Sequence, residues 1–548
     1  MRIRTGLLLA ISFLAMSLLP NQAIAQAKKP ALQMRLGSLD SLMETFYLLA
    51  DRVGRKDEAK QLEQVLKAGT GPDGIQGLDP KRPLGLYGSI GPNGVDSEAV
   101  LAVPVLDEEK MLTALTALSG GLGGKVEKGK NGGAHVLNLD QSPFPIYFRF
   151  EKKYCWATLR DESIIAPAKL PDPEVFLKAP QPGSLVSLKF DLSGVPDNLR
   201  QLAVDQLREK MSEARDQAPP EETAKQKALR LQIANGIEEG LISFLKEGGV
   251  LSVEIGHDKA TEELFMGTEL LPKPGTALAT SWNNLTNSET IGGSIAQKGT
   301  VLALSLNLKV PESLLQTFGT ALEEMRDQAL AKEKDSAKKE LGKSMFDSMM
   351  PTLKAGKLDM GMAFIPSKGD DHLSMLLGLR VEEGAKVEEL VRKLAAVPTK
   401  PDDDKVTLDV GMLGAISIHK VEPGPNADKD AQELLGNGPG FFAVRPDAVL
   451  LGAGPEGMNL LKQGIETKTS PAPLLSLGLS FSQFSRFNSD RNIPRKKVEE
   501  AAKKAFGDKP ESDRMKLLIE SKDGLRATMR LKTAVLTFFS ELDPNKAN

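Results

Sequence analysis

Residues Ser119 to Lys130 read SGGLGGKVEKGK, and a glycine run closing on Gly-Lys could cradle a phosphate. That chemistry needs G-x-x-x-x-G-K followed by a hydroxyl, set between a strand and the first turn of a helix. Here Ser119 stands five residues ahead of Gly124, where glycine is required, and Val126 follows Lys125 where a hydroxyl should reach magnesium. The run also comes after a helical pattern, DEEKMLTALTAL, so its glycines read as a C-terminal stop.

Calcium and transition metals are the next chemistries to weigh. NADKDAQELLGN spaces Asn426, Asp428 and Asp430 like the start of an EF-type loop, but Ala431 and Asn437 replace its glycine and its bidentate glutamate. PDDDK (Asp402, Asp403, Asp404) lacks the same two residues, and both segments read as solvated acidic turns. The histidines are His135, His257, His372 and His419, and no two are spaced as a helical ligand pair. His257 and His372 adjoin turns and carboxylates and read as satisfied surface groups. No G-x-S-x-G nucleophile turn occurs, and Cys155 in YCWATL reads as a buried, unreactive strand thiol. Asp370, Asp371 and His372 form the best cluster for a carboxylate-dependent hydrolase.

Two apolar groups could bind rather than react. Phe144, Tyr147, Phe148, Phe150, Tyr154 and Trp156 fall on a hairpin pattern, where residues two apart share a face. They read as packing, because the matching segment GFFAVRPDAVLLGAG puts Leu450 where Trp156 stands. Met345, Met349, Met350, Met360 and Met362 cluster at a helix end and the next strand, and read as fillers between helix and sheet.

The elements that would position these residues recur. Strand patterns at LQMRLGSLD, SLVSLKFDLSGVP, TVLALSLNLKVP and LLSLGLSFSQF each precede a long amphipathic helical region, mostly broken once by a turn. Strand pairs such as PLGLYGSIG with EAVLAVPVLD follow. The pattern predicts an α+β fold of tandem duplicated two-layer units, with mainly antiparallel sheets covered on one face by long helical pairs. The first copy spans 31–298, in units of about 31–180 and 181–298; the second spans 299–548, in units of about 299–470 and 471–548.

The first 25 residues set the expected destination. Arg2 and Arg4 precede an apolar run from Leu7 to Leu19, and Ala23-Ile24-Ala25 supplies small residues for cleavage before Gln26. An uncleaved anchor is the alternative, but the run is short for a span of roughly 20 residues. A signal peptide at 1–25 implies an exported protein, periplasmic or secreted. Removing its two arginines from 70 basic residues against 73 acidic ones leaves 68 − 73 = −5, with no basic excess to collect nucleic acid. One cysteine allows no internal disulfide, and no later run is long enough to span a membrane.

GLDPKRPLGLYGSIG, AVPVLDEEKMLTAL and APQPGSLVSLKFDLSGVP resemble a group of uncharacterised exported bacterial proteins built from repeated strand and helix units. The resemblance implies export and repetition, and no activity, cofactor or site residue. The sequence therefore reads as a non-enzymatic scaffold or interaction protein of the cell envelope, with envelope proteins as partners and no cofactor. The alternative reading is a periplasmic binding protein for an apolar small molecule or lipid, held between sheet and helices.

Overall fold

The computed structural model describes residues 30–543 apart from 71–74, 95, 122, 130–132, 141, 160, 217–223, 287–288, 296–299, 311–314, 316–322, 324–325, 328–329, 332–335, 368–371, 398–403, 426–427, 488–492 and 508. The expected cleavage residues Ala23, Ala25 and Gln26 lie outside these residues, as do Asp370, Asp371, Asp402, Asp403 and Asn426. The chain is a mixed α+β protein with extensive antiparallel sheet. It falls into two compact units, 1–211 with 241–273 and 212–240 with 274–548. These bounds stand beside a sequence-derived boundary at 298/299.

The first unit holds β1 (Leu32–Ser38), β2 (Pro83–Ser89), β3 (Glu98–Pro104), β4 (Gly124–Glu127), β5 (His135–Leu139), β6 (Ile146–Glu151), β7 (Tyr154–Leu159), β8 (Ser184–Asp191), β9 (Gly248–Asp258) and β10 (Glu263–Pro272). They pair antiparallel in the order β4-β5-β6-β7-β3-β2-β1-β8-β9-β10. Helices α1 (Leu39–Arg52) and α2 (Lys56–Thr70) connect β1 to β2, and α3 (Glu108–Gly121) connects β3 to β4. The short α4 (Pro173–Phe176) precedes β8, while α5 (Asp197–Asp216) and α6 (Ala224–Glu247) follow it, their stretch from 212 to 240 falling in the second unit. Ser38 starts α1 by accepting the Ser41 amide on its hydroxyl at 3.2 Å. Gly123, at φ 73°, turns the chain just past α3, so the glycine run ends a helix as its composition implied.

After residues 212–240, the second unit continues with α7 (Ala277–Asn283) and α8 (Gly292–Ile295). Its strands are β11 (Leu302–Lys309), β12 (Lys357–Pro366), β13 (Leu373–Arg380), β14 (Lys405–Leu413), β15 (Ile416–Glu422), β16 (Gly440–Arg445), β17 (Ala448–Ala453), β18 (Leu475–Ser480), β19 (Arg514–Ser521) and β20 (Leu525–Lys532). Their antiparallel order is β14-β15-β16-β17-β13-β12-β11-β18-β19-β20, which corresponds strand for strand to that of the first unit. The helices are α9 (Ser336–Ala355), α10 (Gly384–Ala395), α11 (Lys429–Leu435), α12 (Gly457–Glu466), α13 (Phe481–Phe487), α14 (Arg495–Phe506) and α15 (Ala534–Leu542).

One side of the second sheet is sealed. Along β11 to β13 the inward side chains are Ala303, Ser305, Asn307, Asp359, Gly361, Ala363, Leu376 and Gly378, all buried. Their small size lets α8 come close: a Cβ at Gly361 would stand 2.7 Å from the Gly292 Cα, and one at Gly378 would strike the Ile295 side chain. Asp359 fixes the helix start by accepting the Ile291 and Gly292 amides at 2.8 and 3.0 Å. Helix α12 packs on the neighbouring strands, and Ile291, Ile295, Leu376, Leu450 and Leu461 form one core. In the first unit the aromatic hairpin is core as expected. Trp156 is fully enclosed, with Nε1 donating to the Glu151 carbonyl at 3.0 Å and Tyr154 buried beside it, while Phe148 is buried on the hairpin's other face.

Candidate functional site

The opposite side of each sheet is where the residues gather. Antiparallel partners directly across from each other share a face. In the second unit Leu304 stands across from Met362 and from Leu477, Met362 across from Leu377, and Leu377 across from Leu451. Leu477 pairs with Leu517, and Leu517 with Met529. Seven adjacent strands, from β17 through β13, β12, β11, β18 and β19 to β20, thus present aliphatic and methionine side chains on one face. None of these is fully buried; Leu358, Leu379 and Met529 are 42%, 41% and 40% exposed.

The first unit repeats the arrangement over six strands. Leu101, Leu86, Met34, Leu188 and Val253 follow one another across the sheet, and Thr268 on β10 interrupts the apolar series. Ile255 and Met266 are 45% and 47% exposed. In both units the aliphatic face is the half-open one. Strand alternation marks which residues share a face, but it carries no signal for which face the helices leave open.

A polar cluster sits where α10 meets β14 and β15. Its spacing along the chain (Glu388, Arg392, Asp409, His419) fits no local motif, so the sequence reading missed it. Glu388 and Arg392 lie one turn apart on α10 and pair at 2.7 Å. Arg392 also grips Asp409 through two N–H···O bonds of 2.8 Å. Asp409 is at φ 54° within a register shift of β14, a bulge that turns its amide toward His419 Nδ1 at 3.2 Å. Because Nδ1 accepts from that amide, the hydrogen-bond network puts the ring proton on Nε2, which donates to Glu388 Oε2 at 3.2 Å. His419 is completely enclosed. The hydrogen bonds from Arg392, then that from Ser417, hold the Asp409 carboxyl well below the usual carboxylate range. Arg392 is correspondingly held more firmly protonated, chiefly by its bond to Asp409.

Donor atoms of Glu388, Asp409 and His419 come within 4.8 Å of one another, a spacing a metal ion could bridge. The guanidinium already pairs with both carboxylates, however, and they address opposite nitrogens of one ring. The cluster fits a fastening between helix and strands better than a cation site.

The remaining candidates lie apart from it. His257 is also buried rather than on the surface, and burial pushes its pKa down toward the neutral form. His135 stacks on Phe148 at 5.0 Å, and burial likewise lowers its pKa. His372 is half-buried near Gly436. Asp428 caps α11 by accepting the Asp430 amide at 2.8 Å, and Asp404 accepts the Gly424 amide at 2.8 Å. Cys155 is buried, and desolvation pushes its thiol up to about 12. Met350 is buried as a filler should be, whereas Met345 and Met349 are 43% and 49% exposed, correcting that part of the expectation.

No helix among the described residues is long and apolar enough to cross a membrane. No family model matches the chain, and no curated protein does. Among solved structures, crystal forms IV and III of a protein designated TP0453 are found with 8% identity. They cover 47% and 48% of this chain and 83% and 84% of their own, each with a TM-score of 0.23. A likeness that slight carries no argument about fold or function.

Proposed function

We propose that this chain is an exported, non-enzymatic binding protein for lipid or another strongly apolar ligand, received on the aliphatic sheet faces. The half-open state of those faces carries the reading. Burying a leucine stabilises a protein by about 1.5–3 kcal/mol, so a fold that leaves two rows of strands' worth half-wet forgoes much stability unless something else covers them. Methionines at 360, 362, 375, 515 and 529 add adaptable, polarizable surface suited to a flexible guest. The same observation favours this reading over a scaffold for envelope proteins, since half-buried side chains are poorly placed to meet a second folded surface. The matching strand orders support a tandem duplication, one ligand face per copy. Export rests on Arg2, Arg4, the apolar run and Ala23-Ile24-Ala25, with cleavage before Gln26 and a periplasmic or secreted destination.

Native mass spectrometry of the protein purified without detergent from its own host tests the reading. A bound mass that extracts into organic solvent is expected; a clean apo mass, unchanged after incubation with host lipid extract, would overturn it. Terminal sequencing of the exported fraction should begin at Gln26.

A further inference from the structure

At one end of the first unit's sheet a histidine is shut in with nothing to bond to. His257, the next-to-last residue of β9, is 7% exposed, and neither ring nitrogen has a hydrogen-bond partner among the described residues. A buried polar group in that state is uncommon and costs stability. Side chains two apart on a strand share a face, so the ring lies on the same side as Val253 and Ile255. Its backbone is fixed on both sides. The His257 amide donates to the Gly183 carbonyl at 2.9 Å, and Leu264 stands across from it on β10.

Charged groups reach the ring from two elements. The turn joining β9 to β10 carries Asp258, Lys259 and Glu262, and α1 brings Glu44. Glu263 on β10 stands across from Asp258 and so belongs to the opposite face. Lys259 donates to Glu44, and Arg52 in the last turn of α1 lies 3.9 Å from Glu262, so two ion pairs tie α1 to this turn. Ion pairs at the surface hold weakly. Of the 14 residues of α1 only Thr45 and Ala50 are buried, and Phe46 is 36% exposed. The helix is therefore the loosely held wall around the ring, and the paired strands are the fixed one.

We infer that His257 is an acid-sensitive latch: the neutral ring lets α1 close on the β9–β10 turn, and the protonated ring drives α1 off it. Burial, then the Lys259 ammonium, pushes the ring's pKa down in the closed form, while Asp258, Glu44 and Glu262 pull it up less strongly. With α1 lifted, the ring meets water and titrates near its ordinary value of about 6.5. The open form thus takes up a proton more readily than the closed one. The preference for closure is complete above about pH 6.5 and fades as pH falls from there toward the closed-state value. Opening frees the end of the sheet that carries Ile255 and Met266, already 45% and 47% exposed. The latch operates whether or not a ligand occupies the sheet.

Hydrogen exchange of the purified chain at pH 7.5 and 5.5, corrected for the intrinsic effect of pH, tests the latch, because imidazole changes charge in that window and ordinary carboxylates and ammonium groups do not. The open population reported by the Thr45 and Ala50 amides should rise several-fold toward a limit of about tenfold, while amides of the central strand β1 should not follow. In His257→Leu the rise should vanish. A response of α1 below about twofold, an equal response in β1, or a response unchanged by His257→Leu would overturn the inference. Should the variant fail to fold, the comparison of α1 with β1 in the unsubstituted chain still decides.

Discussion

His419 on β15 stands directly across from Phe442 on β16, with ring centroids 5.0 Å apart. His135 and Phe148 occupy the matching places on β5 and β6, at the same 5.0 Å separation. The pair recurs at equivalent positions of two sheets whose strand orders correspond. In the second unit, however, the imidazole has acquired a ring of charged partners.

That ring predicts a pH dependence. The Asp409 carboxyl titrates below its unfolded value of about 3.9, so its contribution to stability is present above that value and fades as pH falls through and below it. Urea midpoints should decline from pH 5 downward in the wild type. The Arg392→Met variant should start lower at pH 7 and decline less steeply, because the depressed carboxyl returns toward its ordinary value. A parallel decline in both proteins would contradict this role for Arg392.

His419 is enclosed and bonded at both nitrogens, so its removal strands partners. His419→Ala should destabilise the chain by about 1–3 kcal/mol, because the Asp409 amide and the Glu388 carboxylate lose their bonds inside the protein. His135→Ala should cost less, since it loses the ring stack and only the 3.3 Å bond from the Gly129 amide. Chemical denaturation of both variants at pH 7 makes the comparison.

Asp359 is a buried carboxylate whose oxygens receive the Ile291 and Gly292 amides, with Arg380 4.0 Å away. Replacement by Ala should cost about 2–4 kcal/mol, leaving two amides and a cation underpaired. Amide exchange should report faster opening at Ile291 and Gly292 before other parts of the second unit respond.

The Cys155 thiol, pushed up to about 12 by burial, should be silent toward a thiol reagent at pH 8 in the native protein. Full reaction is expected in 6 M guanidinium chloride. Rapid reaction of the native chain would mean that the hairpin core opens readily.

Local chemistry made much of this protein legible from its sequence. Alternating leucines in TVLALSLNLKVP and LLSLGLSFSQF identify strands and the residues that share a face, because side-chain direction follows a period of two. Glycines at 120, 121, 123 and 124 identify a helix end, and the aromatic hairpin is read as core from its match to aliphatic residues. The recurring element order likewise reflects patterns written within short windows of chain. Tertiary structure alone decided which face stays open: the small residues Ser305, Gly361 and Gly378 admit α8 and seal one side, leaving the leucine side half-covered. It also brought Glu388 and Arg392 to Asp409 and His419, residues 17 to 31 positions apart whose meeting depends on where α10 docks. Burial and charge pairing are set by distance in space, which residue types and their spacing along the chain do not encode.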